Sequence, residues 1–178
     1  KQGIPIEVEA LYPLYDDSGT YTGSLDSYGR PHGDGEVFWR TLKWYKDRGY
    51  EDKGRKKYIG EFKHGNITGR GKILYVDDKT YEGQFLDGNF HGNGELILAN
   101  GDKYSGEFRK GMMHGDGTLI SSDYGTISGT WVNDQKHGEF SVVNPSEFTT
   151  VAKVTFIEDT CPELKDYKEV ISSDVAAG

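Results

Sequence analysis

Residues 58–75 read YIGEFKHGNITGRGKILY, and this stretch decides the fold. Tyr58 and Phe62 flank Gly60 at alternate positions. Alternate residues of an extended strand share one face, so all three point the same way. Gly69, Gly71 and Ile73 repeat the arrangement on the return, and the glycine-bounded segment between them reads as a hairpin turn. The pattern recurs 23 residues later at Tyr81, Gly83 and Phe85, and again at Tyr104, Gly106 and Phe108. A fourth opening is Ile127, Gly129 and Trp131. Three residues after each large side chain stands Gly65, Gly88, Gly111 or Asp134, and four later Gly69, Gly92, Gly115 or Gly138. A further glycine follows at Gly71, Gly94 and Gly117, but Phe140 takes that place in the last copy. A looser first copy holds Tyr21, Gly23, Leu25, Gly29, Gly33 and Gly35, with one extra residue before Gly29. Eighteen of the 25 glycines occupy such positions, so glycine here is positional and not linker filler.

Each copy is therefore expected to be a β-hairpin, and the fold all-β: an elongated single-sheet array of antiparallel hairpins, closed by a short C-terminal capping helix. Turns such as 77–79 and 100–102 join the copies. Glycine weakens a strand unless a neighbouring ring lies across its bare backbone. With strands about 4.8 Å apart, one copy advances the sheet by about 10 Å and five span about 50 Å. The other face carries Glu61, Lys63, Arg70, Lys72, Glu82 and Gln84 and is expected to be wet. No second sheet is visible to cover the rings. An uncovered aromatic row marks an interaction surface, so the expected partner-binding groove is Tyr21, Trp39, Tyr58, Phe62, Tyr81, Phe85, Tyr104, Phe108 and Trp131.

The spacing Tyr-x-Gly-x-Phe-x-x-Gly-x-x-x-Gly-x-Gly-x-Leu resembles the MORN repeat (membrane occupation and recognition nexus). The resemblance covers residues 14–143. Its departures are Leu25, Ile127, Asp134 and Phe140, and the last suggests that the array ends there. Leu14 and Tyr15 resemble the end of a preceding copy, which implies a longer array. The resemblance implies a non-catalytic scaffold that tethers proteins, cytoskeletal structures or membrane junctions. Similar arrays also accompany SET-type methyltransferases and phosphoinositide kinases, so a substrate-positioning accessory domain is an alternative. An intracellular, cytoplasmic setting, with cytoskeletal or membrane association, follows from the same resemblance and from the single cysteine, Cys161.

The chain thus divides into an N-terminal strand and partial repeat (1–20), five repeats (21–143) with an insertion at 40–57, and a C-terminal cap (144–178). Ile4, Ile6 and Val8 alternate like a strand, as do residues 151–156. Thr160 to Glu163 resembles a capping box, and Leu164, Tyr167, Val170 and Ile171 would stripe the helix after it. That helix would cover the last sheet edge or mediate dimerisation. The chain carries a net charge of −8, which argues against nucleic acid. Residues 40–57 reverse the sign, with eight Lys or Arg against three Asp or Glu. Lys43, Trp44, Arg48, Arg55, Lys56 and Lys57 are the expected contacts for anionic phospholipid or an acidic partner. The rival reading is a solvated hairpin.

Catalysis finds little support. One cysteine makes neither a disulfide nor a thiolate zinc cluster. His32, His91, His114 and His137 each precede a repeat glycine. One copy is too far from the next for a single ion to bridge the series, and His64 falls outside it. No helix-opening Gly-Lys-Ser/Thr loop and no nucleophile elbow is present. Residues 66–68 match a glycosylation sequon, a motif too short to decide anything. No metal and no cofactor is expected. The expected partner is an extended peptide or an amphipathic helix.

Overall fold

The computed structural model describes residues 6–8, 19–39, 54–122, 125–143 and 150–156. They form one antiparallel sheet of twelve strands in chain order. These are β1 (Ile6–Val8), β2 (Gly19–Leu25), β3 (Pro31–Trp39), β4 (Arg55–Lys63), β5 (Asn66–Tyr75) and β6 (Thr80–Leu86), then β7 (Asn89–Ile97), β8 (Lys103–Arg109), β9 (Met112–Ser121), β10 (Gly125–Val132), β11 (Gln135–Val143) and β12 (Thr150–Phe156). Each strand bonds only to its neighbours in sequence, the topology expected of stacked hairpins. The expected capping helix lies outside the described residues.

The hairpin turns are set by backbone handedness. His64 and Gly65 have φ of 50° and 89°, Asp87 and Gly88 48° and 74°, Lys110 and Gly111 53° and 85°. Two successive positive φ values make a type I′ turn, whose twist suits antiparallel strands. Asn133 and Asp134 do the same without glycine, using the two residue types that best tolerate that region. The turns are also fastened to one another. The Gly65 N–H donates to the Pro31 carbonyl at 2.8 Å, Gly88 to Ile67 at 2.9 Å, Gly111 to Phe90 at 2.9 Å, and Asp134 to Met113 at 3.0 Å.

Register places like with like. Tyr58 faces Val37 on one side and Ile73 on the other, while Tyr81 faces Ile73 and Leu96. Beside this row runs a row of glycines, with Gly60 opposite Gly35 and Gly71, and Gly83 opposite Gly71 and Gly94. Further along, the two-residue step from Gly60 to Phe62 is matched by a four-residue step from Ile67 to Gly71. Such a bulge bends the strand, and Gly69, at φ 62°, absorbs it.

The strand expected at 151–156 is present as β12 and extends the sheet beyond the last hairpin. β12 pairs with β11 so that Phe156 faces Gly138 and Val154 faces Phe140. This is the register in which Phe108 faces Gly92 and Gly106 faces Gly94. β12 thus lies in the register of an opening strand, with valine where the repeats have glycine.

Candidate functional site

The rings are not an open surface, which corrects the expected groove. Tyr21, Tyr58, Tyr81 and Tyr104 are wholly buried, and Trp39, Phe62, Phe85, Phe108 and Trp131 are no more than 7% exposed. Among the described residues no second layer covers them, and they pack on one another. Each tyrosine leans along its own strand across the bare glycine. A Cβ on Gly60 or Gly71 would come within 3.0 Å of the Tyr58 ring, and Gly83 and Gly94 hold Tyr81 in the same way. The hydroxyl then donates to a carbonyl three residues on: Tyr21 to Ser24 at 2.7 Å, Tyr58 to Glu61 at 3.1 Å, Tyr81 to Gln84 at 2.8 Å, Tyr104 to Glu107 at 3.1 Å.

Leaning brings Tyr58, Tyr81 and Tyr104 each edge-on to the ring at the end of its own opening strand and to the corresponding ring of the next copy. Tyr58 meets Phe62 of its own strand and Phe85 of the next copy, both at 5.2 Å and near perpendicular. Tyr81 meets Phe85 and Phe108, and Tyr104 meets Phe108 and Trp131. The edge-to-face chain runs unbroken from Tyr21 to Phe156. Each such pair adds about 0.5–1.5 kcal/mol beyond area burial. Burial pushes the Tyr81 phenol up to about 12, and it raises Tyr58 and Tyr104 as well, with Glu61 and Glu107 beside them adding to the effect. These rings are the core.

The concave feature is on the other face. A groove of about 940 Å³ crosses β4 to β8. Its floor is backbone at Gly60, Gly71, Gly83, Gly94 and Gly106. One wall is Ile59, Lys72, Glu82, Glu95 and Ser105, and the other is Arg70, Gln84 and Asn93. The glycine row receives rings on the inner face, and on the outer face the trough is the gap between two rows of outward-pointing side chains. The walls balance charge, with Lys72 paired to Glu82 at 2.9 Å and Glu95 to Lys103 at 2.7 Å. Gln84 turns its side-chain oxygen to the Asn93 N–H at 3.1 Å, which braces that wall. The polar face is not uniformly polar: Phe38, Ile59, Ile97 and Ile120 are exposed on it. The sequence named Arg70, Lys72, Glu82 and Gln84 only as a wet face and not as the walls of a trough.

Of the expected basic contacts, Lys43, Trp44 and Arg48 lie outside the described residues. Lys57 is committed within the sheet, paired with Glu36 at 3.1 Å and lying 4.4 Å over the Phe38 ring. Arg55 lies 5.7 Å from the Trp39 ring centre. Lys56 is exposed.

The structure brings together one constellation that sequence spacing hid. The extra residue of the first copy lengthens its turn, and Asp26 closes it, its Oδ1 accepting from the N–H groups of Tyr28 at 2.9 Å and Arg30 at 3.0 Å. The Asp26 Oδ2 lies 2.8 Å from Arg30 Nη2 and 3.1 Å from His64 Nδ1. The His32 and His64 ring centres are 5.0 Å apart. Burial alone would raise the Asp26 carboxyl, but hydrogen bonds from His64 and Arg30 hold it well below the usual carboxylate range. Asp26, His32 and His64 offer ligand atoms within 4.8 Å of one another, the only such group among the described residues. Set aside as isolated in the sequence, His64 meets His32 because β3 and β4 pair, with Gly33 opposite Phe62.

Against known families, the MORN repeat model matches at residues 58–80, 81–103, 104–126 and 128–139. Residues 58–139 form a MORN-repeat array. Each 23-residue match begins at the tyrosine of an opening strand and runs through its turn and return strand to the start of the next opening strand, and the last match stops within β11. MORN repeats generally bind proteins or membranes. No curated protein is similar to the chain at a significant level. Among the described residues, no helix is long and apolar enough to cross a membrane.

Proposed function

We propose that the MORN array is a non-catalytic scaffold that holds an extended protein segment in the glycine-floored trough. The observation that carries this reading is the trough itself: about 940 Å³, crossing five strands, with both signs of charge on its walls. Arg70 and Lys72 would take acidic side chains, Glu82 and Glu95 basic ones, while Gln84 and Asn93 fix the register. Exposed Ile59 adds an apolar anchor at one end. The ring ladder on the reverse face keeps the trough rigid, and a rigid site spends less free energy on ordering when it binds.

Selection of a random peptide library on the full chain tests this. Peptides retained by the wild type should be released by Asn93→Trp, which fills the trough, and by Arg70→Glu with Lys72→Glu. All these side chains are exposed, so the far-ultraviolet circular dichroism should stay unchanged. Equal retention of the same peptides by folded variants would remove the trough as the site.

A further inference from the structure

We propose that Asp26, His32 and His64 form a binding site for one divalent transition-metal ion, zinc being the best match, and that Arg30 holds the place of the ion until it is displaced. Two imidazoles and a carboxylate are the donor set of open three-ligand zinc sites, with water in the fourth position. The distances fit. Ligands at about 2 Å from a tetrahedral ion lie about 3.3 Å from each other. Asp26 Oδ2 and His64 Nδ1 are already 3.1 Å apart, and the full set falls within 4.8 Å, which side-chain rotation of His32 can close.

The backbone under the three ligands is fixed in advance. Asp26 Oδ1 is held by two backbone N–H groups, so Oδ2 alone faces the cluster. The turn that bears it is closed by Asp26 N–H to the Arg30 carbonyl at 2.8 Å and Gly29 N–H to the Asp26 carbonyl at 3.0 Å. His64 sits in a type I′ turn at φ 50°, and the Gly65 N–H after it bonds to Pro31, the residue before His32. Outer bonds of this kind orient metal ligands and tune their affinity. Two hairpins therefore bring the three side chains together, with Asp26 and His64 already in contact and His32 beside them.

Arg30 is the competing charge. Its guanidinium touches both Asp26 Oδ2, at 2.8 Å, and His64 Nδ1, at 3.2 Å. Its side chain is 47% exposed, whereas that of Asp26 is 9% exposed, so the arginine can swing into water while the carboxylate stays. An incoming ion would replace one positive charge by two at the same carboxylate.

Zinc titration of the full chain against a chromophoric chelator, in a Cys161→Ser background, tests the proposal. One ion per chain is expected at micromolar zinc. Asp26→Asn, His32→Gln and His64→Asn should each weaken binding at least about tenfold. Asparagine is chosen at 64 because it tolerates positive φ, which keeps the turn folded. Arg30→Gln should tighten binding, and His91→Gln, from another copy, should leave it unchanged. Magnesium, which prefers oxygen ligands, should not compete. No zinc uptake at micromolar concentration, equal affinity in the three ligand variants, or equal competition by magnesium would overturn the proposal. Circular dichroism of each variant separates lost binding from lost folding.

Discussion

The copy opening at Tyr104 and the copy opening at Ile127 fill the same hole from opposite sides. In the first, Tyr104 lies across Gly106 and Gly117, and both glycines are needed. In the second, isoleucine stands in the tyrosine place, phenylalanine in that of the second glycine, and Gly129 is covered by the Phe140 ring. Phe140 is wholly buried and continues the edge-to-face chain, 5.6 Å from Trp131 and 5.0 Å from Phe156. What the array requires, then, is one ring per glycine gap. Which strand supplies it is free.

The largest effect should come from breaking that exchange halfway. Phe140→Gly alone empties the gap and should cost about 3–5 kcal/mol, the usual range for losing a buried ring. Ile127→Tyr alone puts two rings over Gly129 and should also destabilise, by about 1–3 kcal/mol. The double substitution recreates the arrangement of Tyr104, Gly106 and Gly117, and should recover most of both losses. Urea midpoints of the four proteins form a double-mutant cycle. Strictly additive losses would show that the two copies are not interchangeable solutions.

The comparison also shows what the sequence could reveal. Period-2 spacing of Tyr58, Gly60 and Phe62 gave the strand and its inner face, because alternation along a strand is geometric. The number of residues between copies gave the hairpins. The direction in which a side chain leans is not encoded in spacing. A tyrosine standing upright at 58 would have left an open aromatic row; one leaning across Gly60 buries itself. The Asp26, His32 and His64 cluster needed the pairing of β3 with β4, and that pairing spans the insertion at 40–57. One visible signal, the extra residue in the first turn, did point to that place.

The two faces should respond to alkali differently. Tyr81 is neutral when folded, with its phenol at about 12 against 10.0 for the exposed group. Its contribution is complete below pH 10, where both states keep the proton. Between pH 10 and 12 the unfolded chain has lost the proton and the folded chain has not, so stability falls as pH rises. Tyr58 and Tyr104, also raised, extend the loss. Unfolding free energy should decline by an order of 2 kcal/mol for Tyr81 across that window. Tyrosinate absorbance should rise together with loss of circular dichroism. In the Tyr81→Phe protein the decline should be shallower. A smooth tyrosinate titration of all rings, with the fold intact, would mean that they do not seal the inner face.

The smallest effect belongs to the trough. Lys72 and Glu82 form an ion pair across β5 and β6 with side chains 57% and 67% exposed. Exposed pairs are worth about 0.2–1 kcal/mol, and salt weakens them. Lys72→Ala should therefore shift the urea midpoint by less than any ring substitution, and the shift should shrink further in high salt. The same substitution should nevertheless lower retention of trough-bound peptides, because there Lys72 contributes recognition and not stability. A surface whose changes alter binding while leaving folding untouched is what the division between the two faces requires. If Lys72→Ala destabilised the sheet as much as Phe140→Gly, the polar face would belong to the core's energetics, and the trough would have no freedom to vary with its partner.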